Sequence, residues 1–369
     1  MHVVLFFTYD ISLNDWKTSG ILDRELRIYE ELEKNENFKF TFITYGDIKD
    51  SKIISNPNIN VIPIYSIFKR SKNSLVRFIK SFVFPFYLKN NLEEFDVIKT
   101  NQLHGSWIAI ILKYLTKKKL YIRTGFDFYT FSIKKDASFS KKLFFYLLTK
   151  ISLNKSDVYS VTSITDKNFL EKKFNSKNKI KLVRNWVEPV DIIEKRFNNR
   201  ILAVGRLEKQ KNFSELFKQL ENSNFLIDVV GNGSLRSKLK RKAIENNVKV
   251  NFLGNLNNKE LMALYAKYKV FVSSSLYEGN PKAVLEAMSM GCVVIAYKIN
   301  NIEEIITQRA NGILYEFDNK SLQKEIDYIF ANEKTYEEIA SAGKNYIKKE
   351  NSFDLYKTKE LKILKLLRT

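Results

Sequence analysis

The amino-acid sequence predicts an α/β protein of two domains, each a doubly wound parallel sheet with helices on both faces. Three observations predict it. At 369 residues the chain exceeds the roughly 250–300 residues at which single cores stop growing. Short, almost wholly apolar runs alternate with helix-length stretches from end to end, the pattern of strands covered on both sides. Near 185–199 this alternation breaks, at Pro189 and the charged stretch 194–200. The expected division is 1–190, 191–350 and a C-terminal helix over 351–369.

In the first domain the runs predict strands over 3–8, 38–44, 61–64, 97–100, 120–123, 158–162 and 180–183. Helices are expected over 21–34, 107–117 and 141–153. In the second, strands are expected over 201–204, 225–230, 250–253, 270–274, 293–296 and 312–315. The helices there fall over 213–221, 235–246, 259–268, 282–290 and 302–307. Ligands of such sheets bind beyond the strand C-termini, so the turns that leave strands are where binding residues are expected.

Composition narrows the classes. Hydrophobic residues make up 44% and aromatics 14%, ample for packed cores and unlike a disordered chain. The single cysteine, Cys292, excludes an internal disulfide framework; inside an apolar run it reads as a small buried hydrophobe. The opening MHVVLFFTYD lacks the basic region and cleavage site of a secretory signal. No run approaches the roughly 18–20 apolar residues that span a bilayer, so a soluble or membrane-peripheral, cytoplasmic protein is expected. The net charge of +21 calls for an anionic partner, compositional bias or both. Nucleic acid, anionic lipid and phosphorylated small molecules all qualify.

The most informative segment is 273–291, Ser-Ser-Ser-Leu-Tyr-Glu-Gly-Asn-Pro-Lys-Ala-Val-Leu-Glu-Ala-Met-Ser-Met-Gly, which leaves a strand and opens a helix. Asn280 suits an N-cap, Pro281 the first helical position and Gly291 the stop. Unpaired amides at such a helix start, near Lys282, Ala283 and Val284, suit a diphosphate, and Gly279 lets backbone approach it. Glu278 precedes the helix, and Glu286 lies among its apolar residues. A carboxylate there needs hydrogen-bond donors, which sugar hydroxyls supply. The plainer alternative is a solvated loop acid at Glu278 and a lysine-paired Glu286.

Three further turns follow strands. In 204–212 Gly205 permits a tight turn, and Arg206 and Lys211 are placed to neutralise a diphosphate. Gly231, in the Gly-Asn-Gly turn 231–233, and Asn255 with Leu256 are weaker candidates for the same ligand. In the first domain His104, between a strand and a helix, is suited to hydrogen-bond a sugar hydroxyl or share a developing charge. Asp127 follows a strand and is expected to face acceptor or donor, and Gly20 to open the helix after the first strand beside substrate. Segment 68–89 mixes six basic residues with Phe78, Phe82, Phe84, Phe86 and Tyr87, which suits a membrane interface; Pro85 would kink any single helix through it, and 141–146 extends the patch.

Taken together, these elements resemble the retaining glycosyltransferases of the GT-B fold, specifically glycosyltransferase family 4. The resemblance is carried by the Gly205-Arg206-Leu207 turn with Lys211 and by Glu278 and Glu286, separated by seven residues. It implies two Rossmann-like domains whose parallel sheets face across a cleft. It also implies a UDP- or GDP-sugar donor, a glycan or lipid-linked acceptor, and a role in cell-surface polysaccharide or glycolipid synthesis at an anionic membrane. Arg206 and Lys211 would hold the diphosphate, Glu278 the transferred sugar and Glu286 the ribose, with His104 near the donor sugar. The stretch 185–188 resembles the family's Asn-Gly-Val-Asp, with Trp186 in place of a glycine; Asn212 replaces another. No Asp-x-Asp pair occurs, so no metal or other cofactor is expected, nor a specific nucleic acid or protein partner. Two alternatives stay open: a basic nucleic-acid-binding protein, and a sugar phosphorylase or hydrolase on the same fold.

Overall fold

A computed structural model describes residues 1–176, 179–188, 190, 192, 194–318 and 321–368. The chain divides into unit 1, Met1–Val183 with Lys357–Thr369, and unit 2, Arg184–Tyr356. Pro189, expected to mark the break, lies outside the described residues. Asn185 and Val187 belong to unit 2 because their amides are hydrogen-bonded to Asn280 and Asn351.

Unit 1 runs β1 (His2–Phe6), α1 (Leu13–Thr18), α2 (Leu22–Glu36), β2 (Lys39–Thr44), β3 (Ile59–Pro63), α3 (Ile64–Ile67), α4 (Ser74–Ser81), α5 (Phe84–Asn91), β4 (Val97–Thr100), α6 (Ser106–Thr116), β5 (Lys119–Arg123), α7 (Phe128–Lys134), α8 (Phe139–Lys155), β6 (Val158–Val161), α9 (Ile164–Phe174) and β7 (Ile180–Leu182). The seven strands are parallel, in the order β3-β2-β1-β4-β5-β6-β7.

Unit 2 runs β8 (Phe197–Val204), α10 (Phe213–Gln219), β9 (Leu226–Val230), α11 (Arg236–Glu245), β10 (Lys249–Gly254), α12 (Asn258–Tyr265), β11 (Tyr268–Ser273), α13 (Lys282–Ser289), β12 (Val293–Tyr297), α14 (Asn300–Glu303), β13 (Ile313–Tyr315), α15 (Ser321–Ala331) and α16 (Glu333–Glu350). Its parallel order is β10-β9-β8-β11-β12-β13. Helix α17 (Phe353–Arg368) begins in unit 2 and continues in unit 1.

The continuous apolar runs have a direct physical reason. Successive strand side chains point to opposite faces, and here both faces are buried. Ile201 and Ala203, Val270 and Val272, Val293 and Ile295 enter one core of unit 2. Leu202, Phe271, Val294 and Ala296 enter the other. Cys292 is buried in this second core, its Sγ 3.3 Å from the Tyr265 carbonyl, and burial pushes its thiol up to about 12.

Several expectations need correction. The helix expected over 259–268 ends at Tyr265, because Tyr268 opens β11 and its hydroxyl donates to buried Asp228 (2.7 Å). The helix expected over 302–307 is the single turn α14, ended as Ile305 and Ile306 turn into the core. Helix α1 intervenes after β1, capped reciprocally by Ser12 and Asp15. Gly20 therefore lies between α1 and α2, at φ +70°, and does not open the first helix. Segment 64–91 forms three short helices, and Pro85 sits in the first turn of α5, where its missing amide costs nothing.

Within unit 1 the second half of α17 is fastened by a buried ion pair. Lys99 Nζ on β4 stands 2.6 Å from Glu360 Oε2, and the Tyr121 hydroxyl donates to Glu360 Oε1 (3.0 Å). Both charged side chains are at most 1% exposed. A buried charge without its partner is costly. Glu360→Ala should lower stability by about 3–5 kcal/mol in urea unfolding, whereas Lys99→Met with Glu360→Leu should recover most of the loss.

Candidate active site

The order of the unit 2 sheet reverses between β8 and β11. From β8 the chain moves outward to β9 and β10, then returns to pair β11 on the other side of β8. Neighbouring strands whose connections leave in opposite directions open a crevice beyond their C-termini. The loop after β8 carries Gly205, Arg206 and Lys211. The loop after β11 carries Glu278, Gly279, Asn280 and Pro281.

Four hydrogen bonds stitch these loops together. Ser274 Oγ donates to the Lys211 carbonyl (2.7 Å), and the Leu276 amide to the Gln210 carbonyl (2.9 Å). Gln210 Nε2 donates to the Tyr277 carbonyl (2.9 Å), and Lys211 Nζ to Glu278 Oε1 (2.5 Å). Sequence reasoning singled out Lys211 and Glu278 separately and missed that they pair. It also missed Gln210 and Ser274, which hold the loops in register.

Close backbone approach explains the glycines. The Lys211 stem lies across Gly205, whose added Cβ would stand 2.9 Å from Lys211 Cδ and Cε. Gly231, at φ +128°, packs its own α-carbon on the Gly205 carbonyl, which a Cβ would meet at 2.1 Å. Gly231 thus shapes the Arg206 turn through backbone packing. Arg206 itself is exposed, and among the described residues it has no ion-pair partner.

Both glutamates are buried, Glu278 to 7% exposure and Glu286 to 4%, which overturns the reading of Glu278 as a solvated loop acid. Glu278 has a lysine partner, Lys211. Glu286, on α13 between core residues Leu285 and Ala287, accepts from the Tyr265 hydroxyl at 3.4 Å.

Asn280 is not the N-cap. Its Oδ1 accepts from the Asn185 amide (2.8 Å), and its carbonyl accepts from Asn185 Nδ2 (2.7 Å). Asn351 Nδ2 in turn donates to the Asn185 carbonyl (2.7 Å). Pro281 takes the cap position, and its carbonyl already accepts from the Val284 amide (3.1 Å). Lys282 and Ala283 remain half-buried at the helix start, and Gly291 ends the helix at φ +78°. Asn255 is exposed and Leu256 packs on the core; both follow edge strand β10, not a strand at the reversal.

Unit 1 has its own reversal, between β1 and β4. His104 follows β4, and its carbonyl accepts from the Tyr9 amide after β1 (2.9 Å). The rings of Tyr9, Trp107, Phe128 and Phe145 surround its imidazole at centroid distances of 5.5–6.1 Å. Burial, helped by the Lys141 charge and opposed by Asp10, pushes His104 down to about 4. Among the described residues its ring nitrogens have no hydrogen-bond partner, so a neutral imidazole is available to a ligand at neutral pH.

Asp127 does not face a ligand. It is fully buried, caps α7 by accepting from the Thr130 amide (2.6 Å), and burial raises its carboxyl. Asp10 escaped the sequence reading. It sits at φ +66° after β1, where the Tyr65 hydroxyl (2.8 Å), Arg70 (3.2 Å) and Arg77 (2.9 Å) converge on its carboxylate. Its position just beyond a strand C-terminus was the available signal.

Two outcomes follow from this geometry. Lys211→Met leaves a buried carboxylate unpaired, so it should lower the unfolding free energy by about 2 kcal/mol, and adding Glu278→Gln should restore part of it. For His104 the unfolded chain takes up a proton near pH 6.5 and the folded chain only near 4. Stability should therefore fall as pH drops through that window, by up to about 3 kcal/mol, and His104→Gln should flatten this part of the profile.

Comparison with known proteins bears on the fold. Residues 190–346 match the family model described as glycosyl transferases group 1. A GalNAc-alpha-(1->4)-GalNAc-alpha-(1->3)-diNAcBac-PP-undecaprenol alpha-1,4-N-acetyl-D-galactosaminyltransferase from Campylobacter jejuni is 28% identical over 214 residues. That match covers 54% of this chain and 58% of the relative, under two thirds of its length. The sucrose-phosphate synthase structure from Thermosynechococcus elongatus superposes with a TM-score of 0.82 at 16% identity, over 100% of this chain and 99% of that one. Anabaena HepE, solved in complex with UDP-glucose, gives 0.75 at 13% identity over 98% and 99%. The chain therefore has the GT-B fold, and its residues 190–346 match the model of the glycosyl transferases group 1.

Proposed function

We propose that this protein is a retaining glycosyltransferase of family 4. It moves a hexose or N-acetylhexosamine from a nucleotide-diphosphate sugar to a glycan or lipid-linked acceptor in cell-surface polysaccharide or glycolipid synthesis. The carrying observation is the Lys211–Glu278 pair, set by two stitched loops at the strand reversal of unit 2 beside exposed Arg206. Without donor, lysine and glutamate satisfy each other. With donor, Lys211 and Arg206 take the diphosphate, Glu278 turns to sugar hydroxyls, and Glu286 accepts from the ribose.

In the transfer, the bond from the sugar C1 to the diphosphate oxygen breaks and a bond from C1 to the acceptor oxygen forms on the same face. The departing phosphate oxygen takes the acceptor's proton. Arg206 and Lys211 stabilise the charge that develops on the diphosphate, which makes the reaction independent of a metal. UDP is the favoured carrier, supported by the UDP-glucose bound to Anabaena HepE. A lipid-linked acceptor is supported by the undecaprenol-linked substrate in the name of the Campylobacter jejuni relative.

A thermal-shift series with UDP-, GDP-, ADP- and CMP-sugars tests the donor site, since a true ligand stabilises by mass action. UDP-sugars should give the largest shift, unchanged by a chelator. Glu286→Ala and Lys211→Ala should each weaken donor binding about 10- to 100-fold, the worth of one charge-assisted contact. Unaltered donor affinity in both variants would remove the assignment.

A further inference from the structure

Helix α4 of unit 1 turns its apolar side chains outward, and α8 exposes a second apolar row besides the one it buries through Phe145, Leu148 and Leu153. On α4 Leu75 is 63% exposed and Ile79 60%, and at the start of α5 Phe86 is 54% exposed. On α8, Phe139 (79%), Leu143, Leu147 and Ile151 recur every fourth residue and all face outward. A globular surface scatters such residues singly, and a contiguous group marks an interaction site. The two helices are neighbours: the Phe78 ring on α4 meets the Trp107 ring on α6 (5.2 Å) and the Phe144 ring on α8 (5.8 Å).

Charge identifies the partner. Residues 64–92 contain six Lys or Arg and no Asp or Glu; residues 137–156 contain four Lys and no acid. The adjoining Asp136 is already paired with Lys142 (2.7 Å). Arg70 and Arg77 are likewise paired with Asp10 (3.2 and 2.9 Å), which leaves Lys69, Lys72, Lys80 and Lys89 beside Lys141, Lys150 and Lys155. An outward apolar stripe rimmed by such an excess of cations suits a lipid surface, with the side chains among the acyl chains and the lysines among anionic headgroups.

We propose that α4 and α8, with the start of α5, form one docking face that inserts into the surface of a bilayer carrying anionic lipid. Ile79 and Phe139 enter the acyl boundary, and Lys80 and Lys141 contact the headgroups. Among the described residues no helix is long and apolar enough to cross the membrane, so the contact is superficial. The inference deepens the lipid-linked-acceptor reading and rests on it for the purpose of docking; the face itself is read from unit 1 alone.

Flotation of the full chain with vesicles tests it without any sugar. The chain should float with phosphatidylcholine vesicles containing phosphatidylglycerol, and poorly with phosphatidylcholine alone. Ile79→Glu with Phe139→Glu should weaken flotation at least about tenfold, since each removes a large apolar side chain from the interface. Lys80→Glu with Lys141→Glu should weaken it at low salt and matter less at high salt. Both pairs should keep the thermal midpoint and the nucleotide-sugar shift of the parent, so donor binding and docking can fail independently. The proposal is overturned if the parent does not float with anionic vesicles or if Ile79→Glu with Phe139→Glu floats as well as the parent. It is also overturned if the parent is a dimer that this pair converts to monomer, which would make a second copy the occupant.

Discussion

A lysine and a glutamate that would each be costly to bury alone sit against one another at the end of a parallel sheet, and the local structure follows from keeping them there. Glu278 is 7% exposed and its loop has left β11. Lys211 reaches it by lying flat across Gly205, which requires that position to lack a side chain. Gly231 must then lack one too, because its α-carbon rests on the Gly205 carbonyl. Gln210 and Ser274 fix how far the two loops are offset. Each constraint is local, yet together they converge on one ion pair.

Buried ion pairs need not be functional, and the contrast with Lys99 and Glu360 shows why. There the glutamate also accepts from Tyr121, exposure is at most 1%, and the partners come from β4 and α17. That pair is closed, and it ties a distant stretch of chain to a sheet. The Lys211 side chain keeps 18% of its surface, and the exposed Arg206 lies on the same turn. A pair that is satisfied but accessible can exchange partners when a ligand supplies an anion for the lysine and hydroxyls for the glutamate. A sealed pair cannot do so without unfolding its surroundings.

Much of this was legible in the sequence for identifiable reasons. Every described strand was expected, the central ones because buried parallel strands are apolar on both faces; edge strands such as β10, exposed at alternate residues, were legible only from their place between helical stretches. Element ends were less legible: Tyr268 continues a helical pattern as plausibly as it opens a strand, and its bond to Asp228, forty residues away in sequence, decides. Glu278 was visible as a loop acid, but its burial depends on Gln210 and Lys211 from another loop. Asp127 shows the converse error. A carboxylate after a strand fits an N-cap as well as a ligand contact, and only the Thr130 amide separates the two.

The excess positive charge can now be divided. If the net +21 were only compositional drift, cations and acids should be interleaved along the exposed helices, as they are on α16, where Glu337 and Glu338 share the helix with Lys344, Lys348 and Lys349. Segments 64–92 and 137–156 instead lack acids altogether while exposing Leu75, Ile79 and Phe139. Acid-free basic stretches occur elsewhere too, as over 229–244, so it is the outward apolar row on two adjoining helices that sets these segments apart. Coincidence of the two features on adjoining helices is what a headgroup-and-acyl boundary requires, since cations without the apolar stripe would bind any polyanion, and the stripe without cations would favour self-association.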